Sequence, residues 1–280
     1  MPLATNHNLT IGWLYPDLMS TYGDRGNIIV LTKRCEWRNI KVSVLPIDQS
    51  SDAKQISSID LLFGGGAQDI EQDIVMKDIL GEKAKHMREH IEAEKPALFV
   101  CGAPQLMGKY YEPAAGKRIE GLGIFDMTTE NPGADKPRLT GNIVAEVNWE
   151  SLNFLVTANT MKQSLKIASS TSSPRNDSVI VGFENHGGRT RLGPTAQPFA
   201  NVIKGFGNNG EDGTEGVIYK NAIGCYFHGP LLPKNPQIAD FLIQRTLEIK
   251  YKTEIRLAPL DDSFEWQAHN AIVKRLRVGI

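Results

Sequence analysis

One cysteine in this chain stands where a nucleophile would. Pro96-Ala97-Leu98-Phe99-Val100 reads as a short buried strand, Cys101 ends it, and Gly102-Ala103-Pro104-Gln105 opens a helix with proline in its first turn. Such a turn holds the sulfur above the sheet edge. The helix N-terminus then offers it free N–H groups and positive dipole, and both favour the thiolate. The Gly102 N–H is a candidate donor to a developing oxyanion. An isolated cysteine packs as a small hydrophobe, so the argument rests on the strand–Cys–Gly–small–Pro context.

A thiolate nucleophile needs a base, and Ala222–Phe227 reads as a second buried strand delivering His228 before Gly229-Pro230. Functional groups of open α/β sheets collect at the carboxyl ends of strands, so His228 can meet Cys101 across 127 positions. His186, in the glycine turn Glu184-Asn185-His186-Gly187-Gly188, is the second candidate base. A third strand, Leu61–Phe63, runs into Gly64-Gly65-Gly66. Glycines there permit close backbone approach, and Gly65 is the candidate for a second oxyanion N–H. The loop is not GxxxxGK[ST], and no other segment supplies that phosphate-binding pattern.

These segments resemble the class I glutamine amidotransferases, in particular their cobyric-acid-synthase-like branch. Its nucleophile motif reads Cys-Gly-Gly-aromatic-Gln. The chain matches at Cys101, Gly102 and Gln105 and departs at Ala103 and Pro104. Many class I members carry His-x-Glu; here Pro230 stands in the Glu position, which implies a dyad or a triad completed from elsewhere. Three further stretches, Leu14–Ile28, Gly182–Thr190 and Phe264–His269, are similar to motifs of the GatD family, the glutaminase subunits of lipid II isoglutaminyl synthase. The resemblance runs from about Leu9 to His269. It implies hydrolysis of L-glutamine through Cys101 and His228. It also implies a substrate-binding role for Arg138, in Arg138-Leu139-Thr140-Gly141-Asn142, as a bidentate clamp on the α-carboxylate. It implies no cofactor in this chain, with ATP and Mg on a MurT-like, Mur-ligase-family synthetase that forms a heterodimer with it. That partner handles lipid II and amidates its D-glutamate. Two other readings stay open: an amidotransferase for another acceptor such as a corrinoid, and a non-catalytic binding module on the same fold.

Composition agrees. The chain has 280 residues, 41% of them hydrophobic, enough for a large core, and a net charge of −1 with no long basic run argues against a nucleic-acid partner. Cys35, Cys101 and Cys225 make no disulfide framework, which suits a reducing cytoplasm, and no zinc spacing is present. No signal peptide and no apolar run near 18 residues is visible, so no membrane span is expected.

The elements that must position these residues alternate as an α/β fold requires. Strands are expected at Leu9–Leu14, Lys41–Pro46, Leu61–Phe63 and Ala97–Val100, with helices at Asn27–Arg38, Ile70–Glu94 and Pro104–Tyr111 between them. Strands at Gly123–Met127, Leu139–Val147, Val179–Phe183, Val217–Tyr219 and Ala222–Phe227 follow, then a helix at Asn235–Lys250. The expected fold is class I amidotransferase-like, flavodoxin-like: a mostly parallel sheet with helices on both faces. An amidotransferase domain spans 1–250, with a polar, mobile insertion at 151–177. A C-terminal extension with a short helix spans 251–280.

Overall fold

The computed structural model describes residues 7–152 and 177–279. In chain order the elements are β1 (Asn8–Leu14), α1 (Arg25–Glu36), β2 (Lys41–Ile47), β3 (Leu61–Gly64), α2 (Asp69–Ile79), α3 (Glu82–Glu92), β4 (Ala97–Val100) and α4 (Gly102–Met107). Then come β5 (Tyr110–Glu112), β6 (Ile119–Glu120), β7 (Met127–Glu130), β8 (Leu139–Val147), β9 (Val179–His186), β10 (Arg189–Leu192) and β11 (Ala200–Lys204). Last are β12 (Thr214–Glu215), β13 (Val217–Tyr219), β14 (Ala222–Cys225), α5 (Pro236–Tyr251) and α6 (Ser263–Arg275).

The central sheet has the order β13-β14-β4-β3-β1-β2. All pairs are parallel except β13–β14 at one edge. Its inner strands β3, β4 and β14 are buried on both faces, so the alternation of side chains sorts one run of apolar residues into two cores. Leu61, Phe63, Leu98 and Val100 pack with residues of α1 and α5. Leu62, Ala97 and Phe99 pack with residues of α2, α3 and α4 on the opposite face. The expected doubly covered parallel sheet is therefore present. β2 is the other edge, where Pro46 is tolerated because an edge strand needs fewer ladder N–H groups.

Two smaller sheets flank it, with orders β10-β7-β5-β6 and β12-β11-β8-β9. The second is antiparallel throughout and joins the first core through Ile143, Ala145 and Ile180.

Several expected elements are corrected. The single helix over Ile70–Glu94 is two, α2 and α3, because Leu80 turns extended and Gly81 takes φ +105°, which no helix accommodates. The helix expected to reach Tyr111 stops at Met107, and Tyr110-Tyr111-Glu112 pair as a strand with β6 and β7. The segment Gly123–Met127 is mostly a turn: Ile124 and Phe125 N–H groups bond to the Met107 carbonyl at the end of α4, and the strand begins only at Met127. The insertion expected at 151–177 falls for the most part outside the described residues. Beyond α5, α6 lies on β8 and β9, where Ile272, Val273 and Leu276 cover Val144, Val179 and Val181. An ion-pair cluster ties this extension to α1: Arg34 bonds both Asp240 and Asp262, and Arg38 bonds Asp240. Burial of Arg34 opposes its charge, but the two carboxylates around it hold it firmly protonated.

Candidate active site

The register of β4 and β14 builds the site. Val100 pairs with Cys225, and the Cys101 N–H donates to the Cys225 carbonyl at 2.8 Å, so the sulfur leaves the sheet at its carboxyl edge. Cys101 has φ +56°, ψ −98°, a strained conformation for a residue with a Cβ, and it sits directly before α4. It is 8% exposed; Cys35 and Cys225 are 0% and 1% exposed. The two departures in its motif are absorbed by glycines opposite. A Cβ on Gly64 would lie 3.0 Å from the Ala103 methyl, and one on Gly224 would lie 2.8 Å from Pro104. The elbow is thus a complementary packing of small residues, and it survives without glycine at 103.

His228 reaches the same edge three residues beyond β14. Its backbone exchanges two hydrogen bonds with Phe183 of β9, at 2.7 and 3.2 Å, which fixes the ring. The imidazole is fully buried and lies beside Cys101, which acts on it electrostatically. Nδ1 stands 3.3 Å from Asp24 Oδ1, so Nε2 is the nitrogen turned to the sulfur. Burial alone would lower the histidine's pKa. The adjacent Cys101, the Asp24 hydrogen bond and the Asp24 charge outweigh it and raise it to about 10. The arrangement favours a protonated His228 beside Cys101.

Asp24, which the sequence places on the loop after the first strand as a residue shaping the glutamine pocket or touching a partner, stands in the structure as the third member that the sequence left unidentified. It is fully buried and precedes the first residue of α1, yet its carboxylate does not cap that helix. Oδ2 accepts the Gly66 N–H at 2.7 Å and Oδ1 faces His228. Read as sequence, an aspartate before a helix is an ordinary cap. The signal that distinguishes it is tertiary. The position opened by Pro230, where a glutamate was lacking, is filled by packing Pro230 on Gly26, and the acid arrives from the β1–α1 loop instead.

The other candidates divide. Gly102 is the first residue of α4 and buried, beside the backbone of Ala67. Gly65 is buried between Met19 and Asp24. Gly66 already gives its N–H to Asp24 and leaves no room for a side chain against the His228 ring. Arg138 stands at the rim, exposed, with Nε donating to Asn185 Oδ1 and Nη2 to the Asn185 carbonyl, both at 2.8 Å. His186 ends a strand rather than lying in a glycine turn, and burial lowers its pKa to about 4.

Behind the pair lie two fully buried carboxylates. Glu184 accepts the Phe206 and Gly207 N–H groups, and Glu215 accepts that of Tyr226. Burial pushes them up to about 7 and about 8 from an ordinary 4.5. With the folded value above the unfolded one, their stabilisation is complete below the unfolded pKa and is lost as pH rises through the folded value. Between about pH 4.5 and 8 this lowers the melting temperature of the native chain, and Glu215→Gln flattens that fall. Melting curves across that range with unchanged slope in the variant contradict this.

The chain matches the CobB/CobQ-like glutamine amidotransferase domain over residues 10–236. It belongs to that family. It is similar to the lipid II isoglutaminyl synthase (glutamine-hydrolyzing) subunit GatD of Staphylococcus aureus, with 38% identity over 96% of each chain. It is similar also to the subunit of the same name from Streptococcus pneumoniae, with 35% identity over 91% of this chain and 87% of the other. Among solved structures a glutamine amidotransferase superimposes with a TM-score of 0.53 at 12% identity, over 84% of this chain and 98% of that one, a likeness of fold.

Proposed function

We propose that this chain is the glutamine-hydrolysing subunit of a lipid II isoglutaminyl synthase, with Cys101, His228 and Asp24 as its catalytic triad. One observation carries the reading: a buried Cys–His–Asp relay at the carboxyl edge of a parallel sheet, in a chain of this family. Cys101 thiolate attacks the carboxamide carbon of L-glutamine, and the imidazolium of His228 protonates the departing ammonia. Asp24 holds the ring through Nδ1, so Nε2 faces the reacting atoms. The N–H groups of Gly102 and Gly65 receive the oxyanion, each worth about 3 kcal/mol. Water, deprotonated by neutral His228, then cleaves the thioester to glutamate.

Released ammonia needs an activated carboxylate. A MurT-like, Mur-ligase-family synthetase supplies it, carrying ATP and Mg, holding lipid II and receiving ammonia from this chain in a cytoplasmic heterodimer. Among the described residues no helix is long and apolar enough to cross a membrane. Co-purification with such a synthetase, followed by an assay for glutamine-dependent amidation of lipid II, tests the reading. Glutaminase activity is expected to be slow in the isolated chain and to rise in the complex.

Arg138 serves as the α-carboxylate clamp. Arg138→Ala is expected to raise the glutamine KM about 10- to 100-fold, the size of a charge-assisted bidentate contact. Amidation driven by added ammonia should be untouched, because ammonia bypasses glutamine binding. Equal impairment of both reactions would place Arg138 on the docking surface instead.

A further inference from the structure

His186 is a buried polar group beside the catalytic pair that the proposed mechanism does not use. β9 carries His186 to the same end of the molecule as His228, because Phe183, three residues earlier, is bonded to the His228 backbone. The His186 ring stacks on Tyr226, with centroids 3.9 Å apart and planes inclined by 19°. Tyr226 follows Cys225, the residue whose carbonyl holds the Cys101 N–H, and its hydroxyl meets Gln105, one turn of α4 beyond Cys101. The imidazole therefore lies one ring's thickness from the elbow's own scaffold.

Its tautomer is fixed. Nδ1 is 2.8 Å from the Gly188 carbonyl, which only accepts, so Nδ1 carries the hydrogen. Burial keeps the ring neutral at physiological pH. Nε2 thus presents a lone pair, it is buried, and it has no hydrogen-bond partner among the described residues. A buried acceptor with no donor is costly unless a ligand supplies one. Glutamine has two kinds of donor, the α-ammonium and the uncharged carboxamide NH2. The charges felt at His186 are those of Arg189, His228 and Arg138, all cationic when charged. Such surroundings repel an ammonium and tolerate a neutral N–H.

Resting on the proposed glutaminase reading, we infer that His186 Nε2 accepts a hydrogen bond from the carboxamide N–H of glutamine. The contact orients the amide toward Cys101 and rejects glutamate, whose γ-carboxylate has no hydrogen to give and meets a lone pair. His186 is then a specificity residue for amide over acid, distinct from the base.

Two substrates separate this role from a structural one. L-glutamine has the N–H donor; L-glutamic acid γ-methyl ester forms the same thioester but lacks it. In the full chain, with its synthetase when they co-purify, His186→Phe keeps a stacked ring and removes the acceptor. We expect kcat/KM for glutamine to fall about 100-fold, with that for the ester changed less than about threefold. Equal loss on both substrates, or none on glutamine, overturns the inference. A second measurement leaves His186 in place: in 15N-histidine-labelled Cys101→Ala, glutamine should shift the His186 Nε2 resonance upfield and the ester should not. An unmoved resonance at saturating glutamine overturns the inference even if the phenylalanine variant does not fold. Native chain that hydrolyses neither substrate, alone or in complex, would instead overturn the glutaminase reading itself.

Discussion

Cys101→Ala should release no ammonia from glutamine above the uncatalysed background, a loss of at least ~10⁴-fold, while melting within a few degrees of the native chain. The size follows from chemistry: alanine cannot form the thioester, and the oxyanion donors alone retain little activity. The preserved fold follows from packing. Cys101 is 8% exposed at the sheet edge, so removing its sulfur opens a small cavity and costs about 1 kcal/mol. The backbone strain at φ +56° is common to both residues and is held by the Cys225 carbonyl. Ammonia release at the native rate would reject the nucleophile. Alkylation gives an independent check. Burial pushes the thiol of Cys35 up to about 12 and that of Cys225 well above its ordinary value, so neither ionises readily. Iodoacetamide should therefore label Cys101 first, and equal labelling of all three cysteines would count against an activated thiolate.

His228→Ala should lower kcat by roughly 10³- to 10⁴-fold, because it removes both the counter-ion of the thiolate and the proton donor to ammonia. Asp24→Asn should fall between this and the native rate, since asparagine can hold the ring but not its positive charge. His186→Ala should cost much less than His228→Ala. The reverse ranking would move the base to β9. The pH response has a definite sign. Asp24 and Cys101 raise the His228 pKa to about 10 in the folded chain, above the ordinary 6.5. The stabilisation from that pair is complete below 6.5 and is lost as pH rises through about 10. Rates and melting temperatures followed from neutral to alkaline pH should show this loss in the native chain and not in His228→Ala.

The nucleophile and its base were legible because their signals are local: an apolar strand, one reactive residue, then small residues or Gly-Pro. The strand cores at 61–63, 97–100 and 139–147 were legible for the same reason, and the parallel sheet follows from their double burial. What failed was set by backbone geometry or by distant partners. Gly81 is an unremarkable glycine in a helical pattern until its φ is known. Gly123–Met127 looks like a strand, but the N–H groups of Gly123, Ile124 and Phe125 bond to carbonyls at the end of α4. The role of Asp24 could not be read from the loop it stands on, because the groups it serves, Gly66 and His228, lie 42 and 204 positions away. His186 was weighed only as a base, because the carbonyl that fixes its tautomer and the ring it stacks on are tertiary facts.

The order of strands in the central sheet also dictates when the reactive thiol comes into being. β4 lies between β3 and β14, yet β14 leaves the ribosome only after β5 to β13. Until then the nascent chain carries β4 with an open hydrogen-bonding edge, a surface that invites pairing with other chains. During that time the cysteine after it has no imidazole beside it and no carbonyl from Cys225 to hold its turn. Docking of Ala222–Cys225 closes the edge and, in the same motion, brings His228 to the sulfur. Unfinished chains are therefore adhesive, and the cysteine meets its imidazole only when the sheet is completed.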